Sequence, residues 1–482
     1  MPIQTRELTA SSTQVAAAKL AQALSGAKAT TSRIARRPAG LQRIPLSFAQ
    51  ESLWFLEQAF SMGHAYHVRV AVRLSGPLNV AVLQRSLTDI VRRHESLRTR
   101  FPVFEDEPYQ LIEPPFPVRV PVIELDGCTA AASPGMLEDR LRQDLQARFD
   151  LAASTPWRAS ILRLATSQHV LLITMHHMVT DGWANQLLLK EMAALYPQLC
   201  AGRAPNLPTS QIQYADFALW QRARLEEEVL QRQLSYWKAH LQGAPSLIDI
   251  PRDRSRPPAQ SHRGGCHVFE IHSELSRRLR ALGETHHVTM FMILFSAFLT
   301  LLHCWSGAID IVVGSPISGG RRLKETQSLI GFFVNTLALR TDLGGDPTFV
   351  ELLERVKITT LEALSHQELP FGRIVQELRP RRSCGAHPVY QVEFTLQISP
   401  GMSWRRRELA AGGLRIADDM TFRWGDLLVE SIPQTSGAAK FDLSCSMYES
   451  ADHGYAGAFE YATDLFDEDT IERLGQGIFQ HQ

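Results

Sequence analysis

The 482-residue sequence has no net charge, because 50 Lys and Arg offset 50 Asp and Glu. It therefore has no electrostatic footprint for nucleic acid or an anionic membrane surface, and neither is expected as a partner. It lacks any C-x-x-C pair. Its six cysteines (Cys128, Cys200, Cys266, Cys304, Cys384 and Cys445) are scattered, which argues against a zinc site or a redox motif and fits reduced thiols in a cytoplasmic protein. No G-x-S-x-G elbow is present, so a serine triad has no support. The N-terminus has no secretory h-region. The stretch from Leu8 to Gln50 is free of acids and rich in Ala, Ser and Thr, like a transit peptide in composition, but reads as a flexible leader or docking segment. The longest apolar run, Val288–Trp305, falls short of the ~20 residues that cross a bilayer and predicts a buried helix instead. No short-period repeat is visible.

What is present is an ordinary globular composition, 44% hydrophobic and 21% charged, on a chain too long for one core. The pattern is mixed α+β. Residues 1–43 read as the leader, with a short Ala-rich helix over Thr13–Leu24 and ARRPAG as linker. An N-terminal lobe covers 44–220, an interlobe helix and connector 221–265, and a C-terminal lobe 266–482. In the first lobe, Ser47 signals a helix N-cap, 67–76 alternates like a strand, 78–101 is an amphipathic helix leading into a strand, and 156–178 reads as a strand pair turning near Thr166–Gln168. One charged helix is expected over 214–242. The second lobe predicts helices over 273–283, 288–304 and 347–367, strands over 309–318, 331–343, 389–397 and 440–449, and a closing helix from Asp467.

The stretch most suggestive of chemistry is LLITMHHMVTDGWA (171–184). An apolar strand ends in His176 and His177, whose side chains should point to opposite faces, so one pocket takes only one of them. A neutral imidazole suits a general base or a hydrogen-bonding catalyst. Asp181 could orient an imidazole or pair with a distant arginine. Gly182 suits either an unusual backbone conformation or a close approach. Adjacent strand histidines diverge and no third ligand is near, so no metal site is expected.

HHMVTDG resembles the H-H-x-x-x-D-G signature of the condensation domains of nonribosomal peptide synthetases. Other stretches in the same order strengthen the resemblance: SFAQESLWFL (47–56), with Ser52 where Arg is usual, RHESLRTRF (93–101), YADFALW (214–220), IGFFVNTLALR (330–340), HQELPFGRIV (366–375) and the closing YATDLFDEDTIERL. It covers about Ile44 to Gln482. One segment departs: RSCGAHPVYQVEF (382–394) has Ser383, Gly385 and Ala386 where the family often has Asp, Ser and Arg, which puts any role for those side chains in doubt.

The resemblance implies a V-shaped pseudo-dimer of two chloramphenicol-acetyltransferase-like lobes with a central substrate tunnel. His177 would sit mid-tunnel as the catalytic residue, either taking the proton of the attacking amine or holding the tetrahedral species by a hydrogen bond. His176 would be a packing residue. Asp181 would be structural, paired with Arg321, with Arg322 as the neighbour to check. Gly182, Trp183 and Asn335 would line the tunnel, and Trp54, Tyr214 and Trp220 would anchor the core or the lobe crossover. The arginines of RHESLRTRF would be structural ion-pair residues. No cofactor is implied. The acceptor would be an aminoacyl thioester on the phosphopantetheine arm of a carrier protein. The donor would be an acyl-CoA in a starter, N-acylating domain, or else an upstream carrier protein bearing a peptidyl or aminoacyl group. An adjacent adenylation domain and a monomer are expected. Because the chain opens on Met1 with no preceding carrier, the starter reading comes first. GFFVNTL stands where epimerisation domains show G-W-F-T, and heterocyclisation domains replace the histidines by aspartates. A dual condensation/epimerisation type would carry a second His-rich motif in residues 1–60, which have none. A non-catalytic recruitment domain of the same fold would tend to lose the intact motif. A stand-alone alcohol acyltransferase would not need the full set of stretches.

Overall fold

The computed structural model describes residues 33–60, 64–125, 134–225, 227–380, 385–397, 422–432, 437–449 and 454–480. The expected helix at Thr13–Leu24 and the position Ser383 lie outside them. In the N-terminal half the elements that position the site are α1 (Phe48–Phe60), β1 (His67–Ser75), α2 (Val80–Arg93), β2 (Val122–Glu124), α3 (Pro134–Gln146), β3 (Trp157–Ala165), β4 (Gln168–His176) and α4 (Gly182–Cys200), beside a small sheet of short strands within residues 44–112. Strand alternation explains the layering. Val70, Val72 and Leu74 of β1 pack with Leu83, Leu87 and Ile90 of α2 and Leu188 and Met192 of α4, whereas Ala71 packs on the other side with Leu141 of α3. β3 and β4 form the expected hairpin, and β1 pairs antiparallel with β4, His67 opposite His176.

Two helices then cross between the halves, α5 (Tyr214–Arg224) and α6 (Glu227–Leu241). The single helix expected over 214–242 is thus broken, with Leu225 capping the end of α5. The C-terminal half follows with β5 (Gly264–Ile271), α7 (Ser273–His286), α8 (Met290–Ser306), β6 (Asp310–Ile317), β7 (Asn335–Asp342), α9 (Phe349–Ser365), α10 (Phe371–Leu378), β8 (Val392–Gln397), β9 (Phe422–Trp424), β10 (Leu427–Ser431), β11 (Leu443–Glu449), β12 (Tyr455–Ala462) and α11 (Glu468–Gln480). The apolar run is α8. Thr289 caps its start and Gly307, with φ of 68°, ends it in the left-handed region. Being apolar on all sides, it is buried under the sheet. Among the described residues no single helix is long and apolar enough to cross a membrane.

The second sheet runs β7-β6-β8-β11-β12-β5. The first runs β9-β10-β1-β4-β3-β2, so β9 and β10 belong to it. Residues 422–431 fall inside the stretch read as the C-terminal lobe, yet β10 pairs with β1, Val429 opposite Leu74. The leader also needs correction. Residues 33–43 are not free linker: Ile34 is buried beside Tyr214 and Phe217, and Arg37 bonds Asp216 (3.0 Å) and Glu95 (2.8 Å).

Candidate active site

A cavity of about 1960 Å³ opens between the two sheets, with His177 and Tyr66 on one wall and Asn335, Glu393 and Lys440 on the other. β4 ends at His176, and His177 already belongs to a short 3-10 turn, His177–Val179, so the two histidines diverge at a strand end rather than along a strand. The turn is held from both sides. The His177 amide donates to the Tyr66 carbonyl (2.8 Å), and Gln50 Nε2 of α1 donates to the Met178 carbonyl (3.0 Å). Ser47 and Gln50 cap α1 reciprocally, which fixes that glutamine.

The two imidazoles are held in opposite tautomers. His177 Nδ1 lies 3.0 Å from the Thr180 carbonyl, which can only accept, so Nδ1 carries the proton and Nε2 keeps its lone pair. Burial, reinforced by the Lys440 charge, pushes the His177 pKa well below its usual range, so the ring is neutral near pH 7. Such a nitrogen accepts a hydrogen bond or a proton from an amine. His176 differs. Its Nδ1 accepts from the Met178 amide (3.2 Å), and its ring is buried edge-on against His67 and Phe149. Rings of Tyr66 and Phe332 stand 6.5 and 5.4 Å from His177 and fix its plane.

Asp181 does not touch either imidazole. One oxygen accepts from the Ala184 amide (2.7 Å), capping α4, and from Arg321 (2.8 Å), and the other accepts from the Phe333 amide (3.1 Å). Arg321, rather than Arg322, reaches it, and also donates to the carbonyls of Thr326, Leu329 and Gly331 while lying 4.1 Å over the Phe333 ring. Burial lowers the Arg321 pKa from its usual value, and Asp181 opposes the shift. Gly331 fits because a Cβ there would enter the Tyr214 ring. These ties also explain why β7 starts at Asn335 and not at 331: the Gly331 carbonyl accepts from Arg321 and the Phe333 amide donates across the halves to Asp181, so neither group pairs along the sheet. Tyr214 joins the same crossing, with its hydroxyl 2.8 Å from Ser47 Oγ and donating to the Phe332 carbonyl (2.5 Å). Trp54 is half-buried beside Leu53 and Phe101, and Trp220 stacks on Phe217.

Gly182 and Trp183 line the cavity as the first residues of α4. Gly182 has no positive φ, so backbone conformation does not require glycine there. The Trp183 indole donates to the Gln327 carbonyl (2.9 Å), another tie between the halves. Asn335 also lines the cavity, but its amide is fully engaged. It donates to the carbonyls of Gln367 and Leu369 and accepts from the Phe371 amide, so it fixes the loop before α10. Among the described residues no group of three potential metal ligands converges. Sequence reasoning missed Tyr66, Phe332, Glu393 and Lys440, whose neighbourhood arises only from folding.

A family model for the condensation domain matches residues 41–481. The chain belongs to the condensation-domain family of nonribosomal peptide synthetases. Two subunits of the linear gramicidin synthase of Brevibacillus parabrevis are similar to it, one 42% identical over 437 residues and another 41% identical over 433. These alignments take in 91% and 90% of this chain but 8% and 5% of those proteins, so the condensation domain spans under a tenth of their length. It is also similar to the crystal structure of the X-domain from teicoplanin biosynthesis, with a TM-score of 0.80 at 30% identity, covering 92% of this chain and 94% of that one. The fold is therefore the α+β, two-lobed chloramphenicol-acetyltransferase type. Condensation domains of these synthetases are amide-forming acyltransferases, and their substrates travel on the phosphopantetheine arms of carrier proteins.

Proposed function

We propose that this condensation domain joins a donor acyl thioester to the amine of an aminoacyl thioester carried by a partner carrier protein, with His177 as the catalytic residue. The observation that carries the reading is the fixed tautomer of His177, whose free Nε2 belongs to the ring that lines the cavity. The amine nitrogen attacks the donor carbonyl carbon, the carbon–sulfur bond breaks, and the thiolate leaves as its carrier or CoA. His177 Nε2 accepts a hydrogen bond from the attacking amine and takes its proton as the tetrahedral species forms; that proton then goes to the leaving sulfur. Holding two tethered substrates in line contributes on the order of several kcal/mol besides.

The donor we propose is a fatty or short acyl group delivered by acyl-CoA, which makes the domain a starter. Support comes from the apolar side chains of Met290, Phe291, Leu339, Leu364, Val375 and Leu396, all of which line the cavity. A peptidyl donor on an upstream carrier is the competing reading, supported by the similarity to parts of a far longer synthetase. An adenylation domain adjacent to this one is part of either arrangement. A recruitment role without catalysis draws on the likeness to the X-domain, and the intact His177 site speaks against it.

The test is reconstitution. The domain is incubated with an aminoacyl carrier protein and either acyl-CoA or an acyl-loaded carrier, and the carrier-bound product is weighed by mass spectrometry. Product from acyl-CoA supports the starter reading, and product only from the carrier-loaded donor sinks it. His177→Ala should abolish the product while the melting temperature stays close to that of the parent. Full activity in that variant would refute the assignment.

A further inference from the structure

The C-terminal sheet has one face against helices and the other toward the cavity. Val392 and Phe394 of β8 and Leu443 and Cys445 of β11 point into the core. By strand alternation, Glu393 and Thr395 of β8 and Ser446 of β11 point the other way, and all three line the cavity. Thr395 stands opposite Ser446 in the ladder, and Glu393 is two residues back along β8, opposite Ser444. Lys440, just before β11, completes the wall and lies 5.3 Å over the Tyr66 ring, whose other neighbour is His177. An apolar cavity wall would place alternating hydrophobic residues here, so the polar face calls for an explanation.

The polar atoms of this wall are uncommitted. Among the described residues, the side chains of Glu393, Lys440, Thr395 and Ser446 form no hydrogen bond or ion pair, whereas the cavity's Asn335 and His387 bond to backbone. Glu393 feels the Lys440 charge although the two side chains do not touch. A gap between a carboxylate and an ammonium is filled best by a neutral group that donates to one and accepts from the other.

Resting on the function proposed above, we infer that Glu393 and Lys440, with the hydroxyls of Thr395 and Ser446, form a subsite for the acceptor's side chain that selects one bearing both a hydrogen-bond donor and an acceptor, a carboxamide or a hydroxyl. The acceptor is the substrate whose nitrogen meets His177, so its Cα substituent stands beside Tyr66 and this wall. The apolar lining contributed by α8, α9 and α10 is left for the donor acyl chain. Glu393 has a pKa raised to about 7 by burial, with the Lys440 charge opposing, so both carboxyl and carboxylate are present near neutrality and either can bond a carboxamide.

The test uses near-isosteric acceptor pairs. Carrier protein is loaded with glutaminyl or methionyl groups, and with threonyl or valyl groups. The specificity constant for amide formation is measured with octanoyl-CoA and octanoyl carrier supplied together, so that either donor route is open. The wild type should prefer glutaminyl over methionyl and threonyl over valyl. Glu393→Leu and Lys440→Met should each cut these ratios by about tenfold or more, because discrimination by a hydrogen-bonding site collapses when its polar group is gone. If Glu393→Leu does not fold, the near-isosteric Glu393→Met combined with Thr395→Val and Ser446→Ala replaces it, with the same expected loss. Wild-type ratios near one, or ratios unchanged in the variants, would overturn the subsite while leaving the catalytic reading intact. No amide with any acceptor would overturn the catalytic reading, and the subsite with it.

Discussion

Asp181→Ala should weaken the fold more than any other single change at the site. Asp181 and Arg321 are 1% and 4% exposed, so the pair is shielded from water. Removing the carboxylate strands a guanidinium that retains only the carbonyls of Thr326, Leu329 and Gly331 and the face of Phe333. Breaking a buried pair from one side costs about 3–5 kcal/mol. The same substitution removes the α4 cap, worth about 1 kcal/mol, and orphans the Phe333 amide. These losses share one carboxylate and do not add in full, so about 4 kcal/mol is the working figure. For a chain of this size each kcal/mol moves the melting temperature by roughly 2 °C or less, which predicts a fall of about 5–8 °C. Scanning fluorimetry on purified protein measures it, with Arg321→Met and the Asp181→Ala/Arg321→Met double variant as partners. The double variant should be more stable than the sum of the single losses predicts, since no buried charge is left unpaired. A melting temperature for Asp181→Ala within about 1 °C of the parent, on that same scale, would refute the ion-pair argument.

Lys440→Met should shift the acid limb of the rate profile toward higher pH, because the Lys440 charge helps keep His177 neutral; burial, the larger cause, keeps the limb below pH 6.5. An acid limb that stays in place would show that Lys440 does not reach His177 electrostatically. Acid should also destabilise the fold. His67 and His387 are pushed down to about 4 by burial, and His177 well below 6.5, so the unfolded chain takes up three protons that the folded one refuses as pH falls from about 6.5 toward 4. Glu393, raised to about 7, acts in the opposite sense by one proton between its ordinary 4.5 and 7, leaving a net loss of roughly 2–3 kcal/mol per pH unit. Urea midpoints measured from pH 7 to pH 5 check this, and a flat profile would contradict it. Gly372→Ala should cost about 1 kcal/mol, because the new Cβ would meet Ser52 Oγ across α1 and α10, and Ser52→Ala should recover most of it. Equal losses with and without Ser52→Ala would mean that the two helices are not in that contact.

Elements with a strong period were legible from sequence. The β3–β4 hairpin and the buried α8 follow from alternation and from an unbroken apolar run closed by Gly307. Boundaries set by distant partners were not. Nothing local indicates that Gly331–Val334 stays out of the sheet, because the reason is a buried arginine ten residues earlier and an aspartate from the other half. Nor does composition reveal that Leu427–Ser431 pairs with β1, more than 350 residues before it. The anchored Arg37 escaped for the same reason, since ARRPAG has linker chemistry and only Asp216 and Glu95 make it a docking point. The site divided along the same line. His177, Asp181 and Gly182 share one stretch and a motif points to them. Glu393 falls inside one predicted strand and Lys440 opens another, so neither had a signal of its own.

The pair His176 and His177 shows how much the working residue depends on its neighbours. Identical side chains, adjacent in sequence, end up with opposite protonated nitrogens because one faces an amide donor and the other a carbonyl acceptor. The carbonyl belongs to Thr180, which precedes the aspartate that Arg321 holds from the other half. The lone pair of His177 is therefore directed by an ion pair it never touches. Weakening that pair should lower activity through the tautomer as well as through stability. In Asp181→Asn, which keeps an oxygen for the α4 cap but loses the charge, the residual rate measured well below the melting temperature separates the two effects. Parent-like turnover there would mean that the turn holds Thr180 in place without Arg321.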